Sequence, residues 1–206
     1  MRSRGLTLVE LLVVITISAI LVAAAVPAFQ WTIARNRIAD ATNLLLANME
    51  YARMEASRRG NTISICRTLD PNAAPACSAA SSATVDGNDW ASGWLVFEKV
   101  PPNVDETNFE VGDRLIFRQQ VSGGEAVRVL IHSNIAAQRV AFQPRGTGFV
   151  LGPQTFAITY GVAPTPAVAS RALGAIPLTN AGRCIPITPV GSMRVIRPGV
   201  ATCPAA

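Results

Sequence analysis

The sequence has little charge and almost no histidine. Only 15% of its 206 residues are charged and His132 is its single histidine, whereas half of the residues are apolar and the mean hydropathy is +0.31. High hydrophobicity with low charge excludes a disordered polyampholyte. A catalytic nucleophile–histidine pair would have to use His132, and no catalytic signature surrounds that residue. We therefore expect a protein that is not an enzyme and has no cofactor.

Acidic side chains are absent after Glu125. Residues 1–60 contain 7 basic and 4 acidic side chains, residues 61–125 contain 4 and 9, and residues 126–206 contain 7 and none, so the net charges are +3, −5 and +7. A basic C-terminal third of this kind raises the question of an anionic partner.

The apolar excess is concentrated in residues 6–26, LTLVELLVVITISAILVAAAV, where Glu10 is the one charged residue. As a helix this run would span about 31 Å, the thickness of a bilayer core, so we predict a transmembrane segment. Arg2 and Arg4 precede the run and predict a cytoplasmic N-terminus with the rest of the chain exported. A secretory signal peptide cut near Ala25 is the competing interpretation, because it also has basic residues before an apolar run.

Glu10 distinguishes between these interpretations. A carboxylate inside a spanning helix costs about 2.5–3.5 kcal/mol, which makes Glu10 a candidate functional residue, although near the headgroups it could also extend toward water. The run Arg4-Gly5-Leu6-Thr7-Leu8-Val9-Glu10, followed by an apolar helix, resembles the class III signal of type IV pilins and pseudopilins. The family usually has Phe where this chain has Leu6.

The resemblance implies how the N-terminus is processed and used. Prepilin peptidase would cut between Gly5 and Leu6 and methylate the new amine of Leu6. The Glu10 carboxylate would then pair with the N-terminal amine of a neighbouring subunit, because a buried carboxylate requires a cationic partner.

The helical pattern continues beyond the apolar run. Pro27 lacks a backbone donor and predicts a kink. Arg58 and Arg59 precede Gly60, which is a typical residue just after a helix end. We predict one helix over residues 6–59, with an amphipathic stripe formed by Ile38, Ala41, Leu45, Met49, Ala52 and Ala56.

From Thr62 the apolar periodicity changes to two, which predicts strands. The predicted strands are 62–66, 93–98, 114–120, 126–132, 139–143, 155–161 and, more weakly, 193–197. The expected fold class is α+β, with a leader peptide at 1–5, the helix at 6–59 and an antiparallel two-sheet β domain at 60–206. Biased composition predicts exposed loops at 71–84 and 162–175.

Three further motifs resemble the GspH/FimT-like minor pilins and pseudopilins. They are RMEASRRG at 53–60 followed by ISIC at 63–66, W-x-x-G-W-x-V-F at 90–97, and F-x-P-x-G at 142–146. The resemblance implies a subunit present in few copies near a filament tip, which initiates or caps a type IV pilus or a type II secretion pseudopilus. It also implies other pilins as partners, and an inner-membrane protein with a periplasmic C-terminal domain that later enters the filament.

All four cysteines follow the apolar run, in the part expected to be exported. An even number in an oxidising compartment predicts two disulfides. Three pairings are possible, and we favour the local ones, Cys66–Cys77 and Cys184–Cys203. A metal site would require closer cysteine spacing, so none is expected. Acidic residues at 105–113 lack the spacing of a calcium loop and are interpreted as a solvated loop.

The basic tail leaves a second class of function open. Some FimT-like minor pilins bind DNA through a C-terminal G-R-x-R motif, and here Gly182-Arg183 keeps only its first arginine. Arg194 and Arg197 supply charge without that spacing, and the tail lacks aromatic residues for base stacking. A solvated basic surface, or one that contacts an acidic neighbour, is the favoured interpretation of Arg183, Arg194 and Arg197.

Overall fold

The structure is a computed structural model of the full chain. It describes residues 7–68, 70–78, 90–102, 108–121, 128–133, 139–144, 154–161, 182–188 and 191–196, with a few side chains in the helix and strands left out. The chain divides into two compact units, Met1–Asn36 and Arg37–Ala206.

A single helix, α1, runs from Leu8 to Arg59 and is not interrupted at Pro27. The predicted kink at Pro27 stays a prediction, because that side chain lies outside the described part. The helix ends where Gly60 adopts a φ of 71° and donates its N–H to the Ala56 carbonyl at 3.0 Å. Glycine favours this left-handed conformation because it has no Cβ.

The predicted transmembrane segment 6–26 lies partly outside the described residues, which omit Leu6 and the side chain of Val26. Among the residues that are described, no helix combines the length and the apolar character needed to cross a membrane. The membrane span therefore stays a prediction.

The second unit contains seven strands and a short 3-10 helix at Trp90–Ser92. The strands are β1 Ile63–Arg67, β2 Trp94–Glu98, β3 Arg114–Gln119, β4 Arg128–Ser133, β5 Arg139–Phe142, β6 Gln154–Gly161 and β7 Arg183–Ile187. They form a four-stranded sheet in the order β3-β2-β1-β5 and a three-stranded sheet in the order β4-β6-β7. Every pairing is antiparallel. The predicted order, a long helix followed by antiparallel strands, is confirmed.

The C-terminal tail differs from its prediction. Strand β7 was not predicted from the sequence, and it pairs with β6 even though Pro186 supplies no N–H to the ladder. The weak strand predicted at 193–197 is instead a pair of isolated bridges, Ile187 with Met193 and Cys184 with Ile196. Backbone hydrogen bonds also connect the two segments: the Thr188 N–H donates to the Ser192 carbonyl at 3.0 Å, and the Gly191 N–H donates to the Thr188 carbonyl at 2.8 Å.

The four-stranded sheet is covered on both faces. Alternate residues of β1 and β2, such as Ile65 and Val96, join the main core, which includes the whole predicted helix stripe: Ile38, Ala41, Leu45, Met49, Ala52 and Ala56. The stripe is thus confirmed as buried. The opposite face forms a smaller cluster around Cys66, Leu95 and Phe97. Both central strands are therefore buried along their full length.

Candidate functional site

The helix start is built around Thr7 and Glu10. The Glu10 N–H donates to Thr7 Oγ1 at 3.2 Å, and the Leu11 N–H donates to the Thr7 carbonyl at 3.2 Å. Thr7 is therefore the N-cap, and Glu10 lies three residues later, where a carboxylate is stabilised by the positive end of the helix dipole. Sequence reasoning missed this local contribution, although Thr-x-x-Glu is the capping-box spacing. The predicted cleavage residues Gly5 and Leu6 lie outside the described part.

The polar side chains after Glu10 are satisfied by the helix itself. Thr16 donates its hydroxyl to the carbonyls of Val13 at 2.8 Å and Leu12 at 3.1 Å, and Ser18 donates to Val14 at 2.8 Å. Such bonding back to the helix leaves no hydroxyl that requires water. Within the described part of this segment, the Glu10 carboxylate accepts no hydrogen bond.

The same segment presents an apolar surface. Large apolar side chains from Leu8 to Val22 are 47–78% exposed in the single chain. A contiguous apolar surface of this size indicates a membrane or a protein partner. Glu10 is the one acidic group on it.

A second polar site lies where the helix ends, within the RMEASRRG motif. Glu55 Oε2 accepts from Arg58 Nε at 3.0 Å, from Arg58 Nη2 at 2.7 Å and from Arg59 Nε at 2.7 Å. Arg59 Nη1 also donates to Glu98 Oε2 at 2.7 Å, and Asn61 Nδ2 donates to the other oxygen of Glu98 at 2.7 Å. Arg59 therefore bridges the helix end and β2.

These contacts shift the pKa values of the groups involved. Hydrogen bonds from Arg58 and then Arg59 lower the pKa of Glu55 from 4.5 to about 2. Burial raises the pKa of Glu98, but hydrogen bonds from Asn61 and Arg59 outweigh it, so that the pKa is lowered. Glu55 and then Glu98 raise the pKa of Arg59. All of these groups are therefore charged at neutral pH.

An open cleft of about 470 Å³ adjoins the ion pairs and is lined by Arg58, Arg59, Glu98 and Arg114. Arg114 lies directly across from Glu98 in the β2–β3 ladder and is exposed. In the described part of the chain, the Arg114 guanidinium has no hydrogen bond or ion pair. Glu98 and Arg114 were not predicted as site residues, because their proximity to the helix end depends on how the strands pair.

A buried lysine fixes the segment between β2 and β3. Lys99 Nζ donates to Asp113 Oδ2 at 2.7 Å, to Glu110 Oε2 at 2.9 Å and to the Asn108 carbonyl at 2.7 Å. The side chains of Lys99 and Asp113 are 3% and 0% exposed. The expectation of a solvated acidic loop was therefore wrong for Asp113, because its carboxylate is buried against Lys99. The Glu110 side chain also pairs with Lys99 but is 39% exposed. Residues 103–107 lie outside the described part.

Gly93 explains the small residue in the W-x-x-G-W motif. It follows the 3-10 turn, has a φ of 142°, and its carbonyl accepts from the Thr68 N–H at 3.0 Å. A Cβ on Gly93 would lie 2.7 Å from the Gln119 carbonyl oxygen of the adjacent strand. The motif is therefore a structural requirement of the β2–β3 pairing.

The predicted Cys66–Cys77 disulfide is confirmed, and it joins β1 to the loop that follows. Arg118 holds the same loop by donating from Nη1 to the carbonyls of Ala73 at 2.8 Å and Pro71 at 3.0 Å. Cys184 is also disulfide-bonded, and its predicted partner Cys203 lies outside the described residues.

Two of the three predicted DNA-binding arginines, Arg183 and Arg194, lie on different faces of the bridged C-terminal segments, and DNA binding stays a prediction. Cross-strand partners share a face and neighbours alternate, so Arg183 lies on the Ile187 face of the hairpin and Arg194 on the Cys184 face. Arg183 Nη1 donates to its neighbouring Gly182 carbonyl at 2.8 Å. Arg197 lies outside the described residues. Among the residues that are described, no group of three or more His, Cys, Asp or Glu side chains is arranged to hold a metal ion.

Two protein-family models match the chain, and solved structures of one protein resemble it in fold. The model described as "Type II transport protein GspH" matches residues 41–189, and that described as "Prokaryotic N-terminal methylation motif" matches residues 1–26. No curated protein matches the chain.

Two crystal structures of the type IV minor pilin FimU from Pseudomonas aeruginosa strain PAO1 are similar in fold. One is 17% identical, with a TM-score of 0.50 over 82% of this chain and 97% of FimU. The other is 16% identical, with a TM-score of 0.47 over 79% of this chain and 98% of FimU.

Proposed function

Because the chain belongs to the GspH family of minor pilins and pseudopilins, we propose that it is a filament subunit that initiates or caps a type IV pilus or a type II secretion pseudopilus. The family consists of structural subunits and is not a known enzyme class. The proposed path begins in the inner membrane, where residues 6–26 span the bilayer and the C-terminal unit is periplasmic. Prepilin peptidase then cuts after Gly5 and methylates Leu6, and the subunit joins other pilins.

The observation that supports the proposal most directly is that the Glu10 carboxylate has no donor in the described part of its own helix segment. Its carboxylate accepts no hydrogen bond within the described part of the segment, whereas Thr16 and Ser18 are satisfied by the helix backbone. An apolar surface that is otherwise free of unmet polar groups therefore carries one acid that requires a cation from outside. Cleavage after Gly5 creates such a cation at the N-terminus of each subunit.

Mass spectrometry of the mature protein tests the processing step. We expect Leu6 to be the first residue and to carry one methyl group. A mature N-terminus near Val26 would instead identify an ordinary secreted protein and overturn the proposal.

A pair of variants tests the role of Glu10 in assembly. We expect Glu10→Gln to be cleaved normally but to be recovered in the sheared filament fraction at less than about one tenth of the wild-type level, because an ion pair in an apolar environment is lost. Asp40→Asn, which changes an exposed acid on the same helix, is the matched control and should enter filaments at the wild-type level. Normal incorporation of Glu10→Gln would refute the pairing.

A further inference from the structure

A row of exposed side chains connects the helix surface to the arginine cleft. Glu50, Met54 and Arg58 are spaced four residues apart, and all three are exposed, with Met54 65% accessible. Residues spaced by four form a ridge along a helix. This ridge, which we call the 50–58 ridge, carries an acid at one end, an apolar side chain in the middle and a base at the other end.

The two ends of the 50–58 ridge have different surroundings. Arg58 directs Nε and Nη2 to Glu55 but its side chain is still 67% exposed, so other N–H donors of the guanidinium face solvent. Among the described residues, Glu50 forms no ion pair or hydrogen bond. The base is therefore held in place at the cleft, whereas the acid has no partner in the described part of its own chain.

The charged groups around the cleft have a net charge that one carboxylate would neutralise. Arg58, Arg59 and Arg114 provide three positive charges, and Glu55 and Glu98 provide two negative ones, both held ionised by their hydrogen bonds. The sum is one positive charge, which a single carboxylate neutralises. A nucleic acid strand would place several phosphates on a surface that has only this small excess.

We propose that the cleft between Arg58 and Arg114 receives Glu50 of a second copy of this chain. Eight residues separate Glu50 from Arg58, so two parallel helices offset by about 12 Å bring the acid of one copy level with the base of the other. One such contact forms between two neighbouring copies, so two copies at a filament tip are sufficient for it. The inference rests on the proposed filament role, which requires helices that run in the same direction.

Charge reversal in co-expressed full-length copies tests the contact. One copy carries an affinity tag, and recovery of an untagged copy from detergent-solubilised membranes is measured. We expect Arg58→Glu or Glu50→Arg in both copies to lower recovery about tenfold, because like charges then face each other. Placing both reversals in the same chain restores opposite charges, and recovery should return to within about twofold of wild type.

Rescue by the double charge reversal distinguishes a loss of docking between copies from a loss of folding within one copy. Arg58→Glu also repels Glu55 within its own chain, and the second reversal at Glu50 does not relieve that repulsion. Arg114→Gln is a milder variant, because in the described chain the Arg114 guanidinium makes no hydrogen bond or ion pair and acts on Glu98 only through space. It should lower recovery with only a small loss of thermal stability. Asp40→Arg, a charge reversal on the same exposed side of the helix, is the matched control and should leave recovery unchanged.

Three outcomes would overturn the inference. They are no recovery of the untagged wild-type copy, no rescue by the double reversal, and a spontaneous disulfide between two Met54→Cys copies. The last would indicate antiparallel helices or parallel helices without an offset, because the proposed offset separates the two Cα atoms by about 12 Å, beyond disulfide reach. If these results arise while Leu6 is still the mature N-terminus and the subunit still enters filaments, only this contact fails and the proposed function stands.

Discussion

Arg59, on the last turn of α1, donates from Nη1 to Glu98 Oε2 at the end of β2 over 2.7 Å. Thirty-nine residues separate the two along the chain. Their side chains are 18% and 8% exposed, so the ion pair is largely removed from water. The same guanidinium holds Glu55, so one side chain connects the helix end to the sheet.

Arg59→Met should destabilise the second unit. Removal of one partner leaves Glu98 as a mostly buried carboxylate, and breaking such a pair costs about 3 kcal/mol. Arg58→Met is the matched control and should cost about 1 kcal/mol or less, because Arg58 is largely exposed. Chemical unfolding of the full chain in detergent, followed by tryptophan fluorescence, measures both. Equal losses for the two variants would contradict the bridging role of Arg59.

Acid should weaken the same junction. The folded pKa of Glu55 is about 2, below its ordinary value of 4.5, so the unfolded chain binds the proton first. The stabilisation is therefore complete above about pH 4.5 and is lost as the pH falls toward 2. Glu98 contributes in the same direction, because its pKa is also lowered. Unfolding measured across this range should show a smaller pH dependence for Glu55→Gln than for wild type.

Gly93→Ala should impair the β2–β3 pairing. The new methyl group would lie 2.7 Å from the Gln119 carbonyl oxygen at a backbone φ of 142°, and strain of this kind costs about 1–3 kcal/mol. Gly60→Ala is the comparison, because its Cβ would meet no atom within 4 Å. Its left-handed φ alone should cost about 1 kcal/mol. A larger loss at Gly60 than at Gly93 would show that the contact with Gln119 is unimportant.

Lys99→Met should release the segment that precedes β3. Without the ammonium group, Asp113 is a fully buried carboxylate next to Glu110, and we expect a loss of about 3 kcal/mol. The double variant Lys99→Met with Asp113→Asn removes the buried charge and should recover part of the stability. Thermal unfolding of the full chain decides between these outcomes, and no recovery would mean that the lysine acts through packing alone.

The local pattern of apolar residues was sufficient to predict the helix and most of the strands. The stripe from Ile38 to Ala56 follows the period of the helix, and all of its members are buried. In contrast, β7 contains Pro186 and has no alternation, because both of its faces are covered. Its place depends on pairing with β6, which the local sequence does not encode.

Among the polar sites, too, some contacts follow from local sequence spacing and others depend on strand pairing. Thr7 and Glu10 are three residues apart, so their capping contact could have been predicted from spacing alone. Glu98 and Lys99 adjoin each other in sequence but belong to different networks, one with the helix end and one with Asp113. Which charged group meets which depends on the strand order, and neither composition nor periodicity contains that information.

The position of β1 has a mechanical consequence. Only Gly60, Asn61 and Thr62 separate the end of α1 from β1, and β1 is hydrogen-bonded on both sides, to β2 and to β5. Tension applied through the helix therefore enters the sheet at an interior strand and is shared by two ladders at once. Pulling along a strand loads its hydrogen bonds together, whereas an edge strand peeled sideways would lose them one after another.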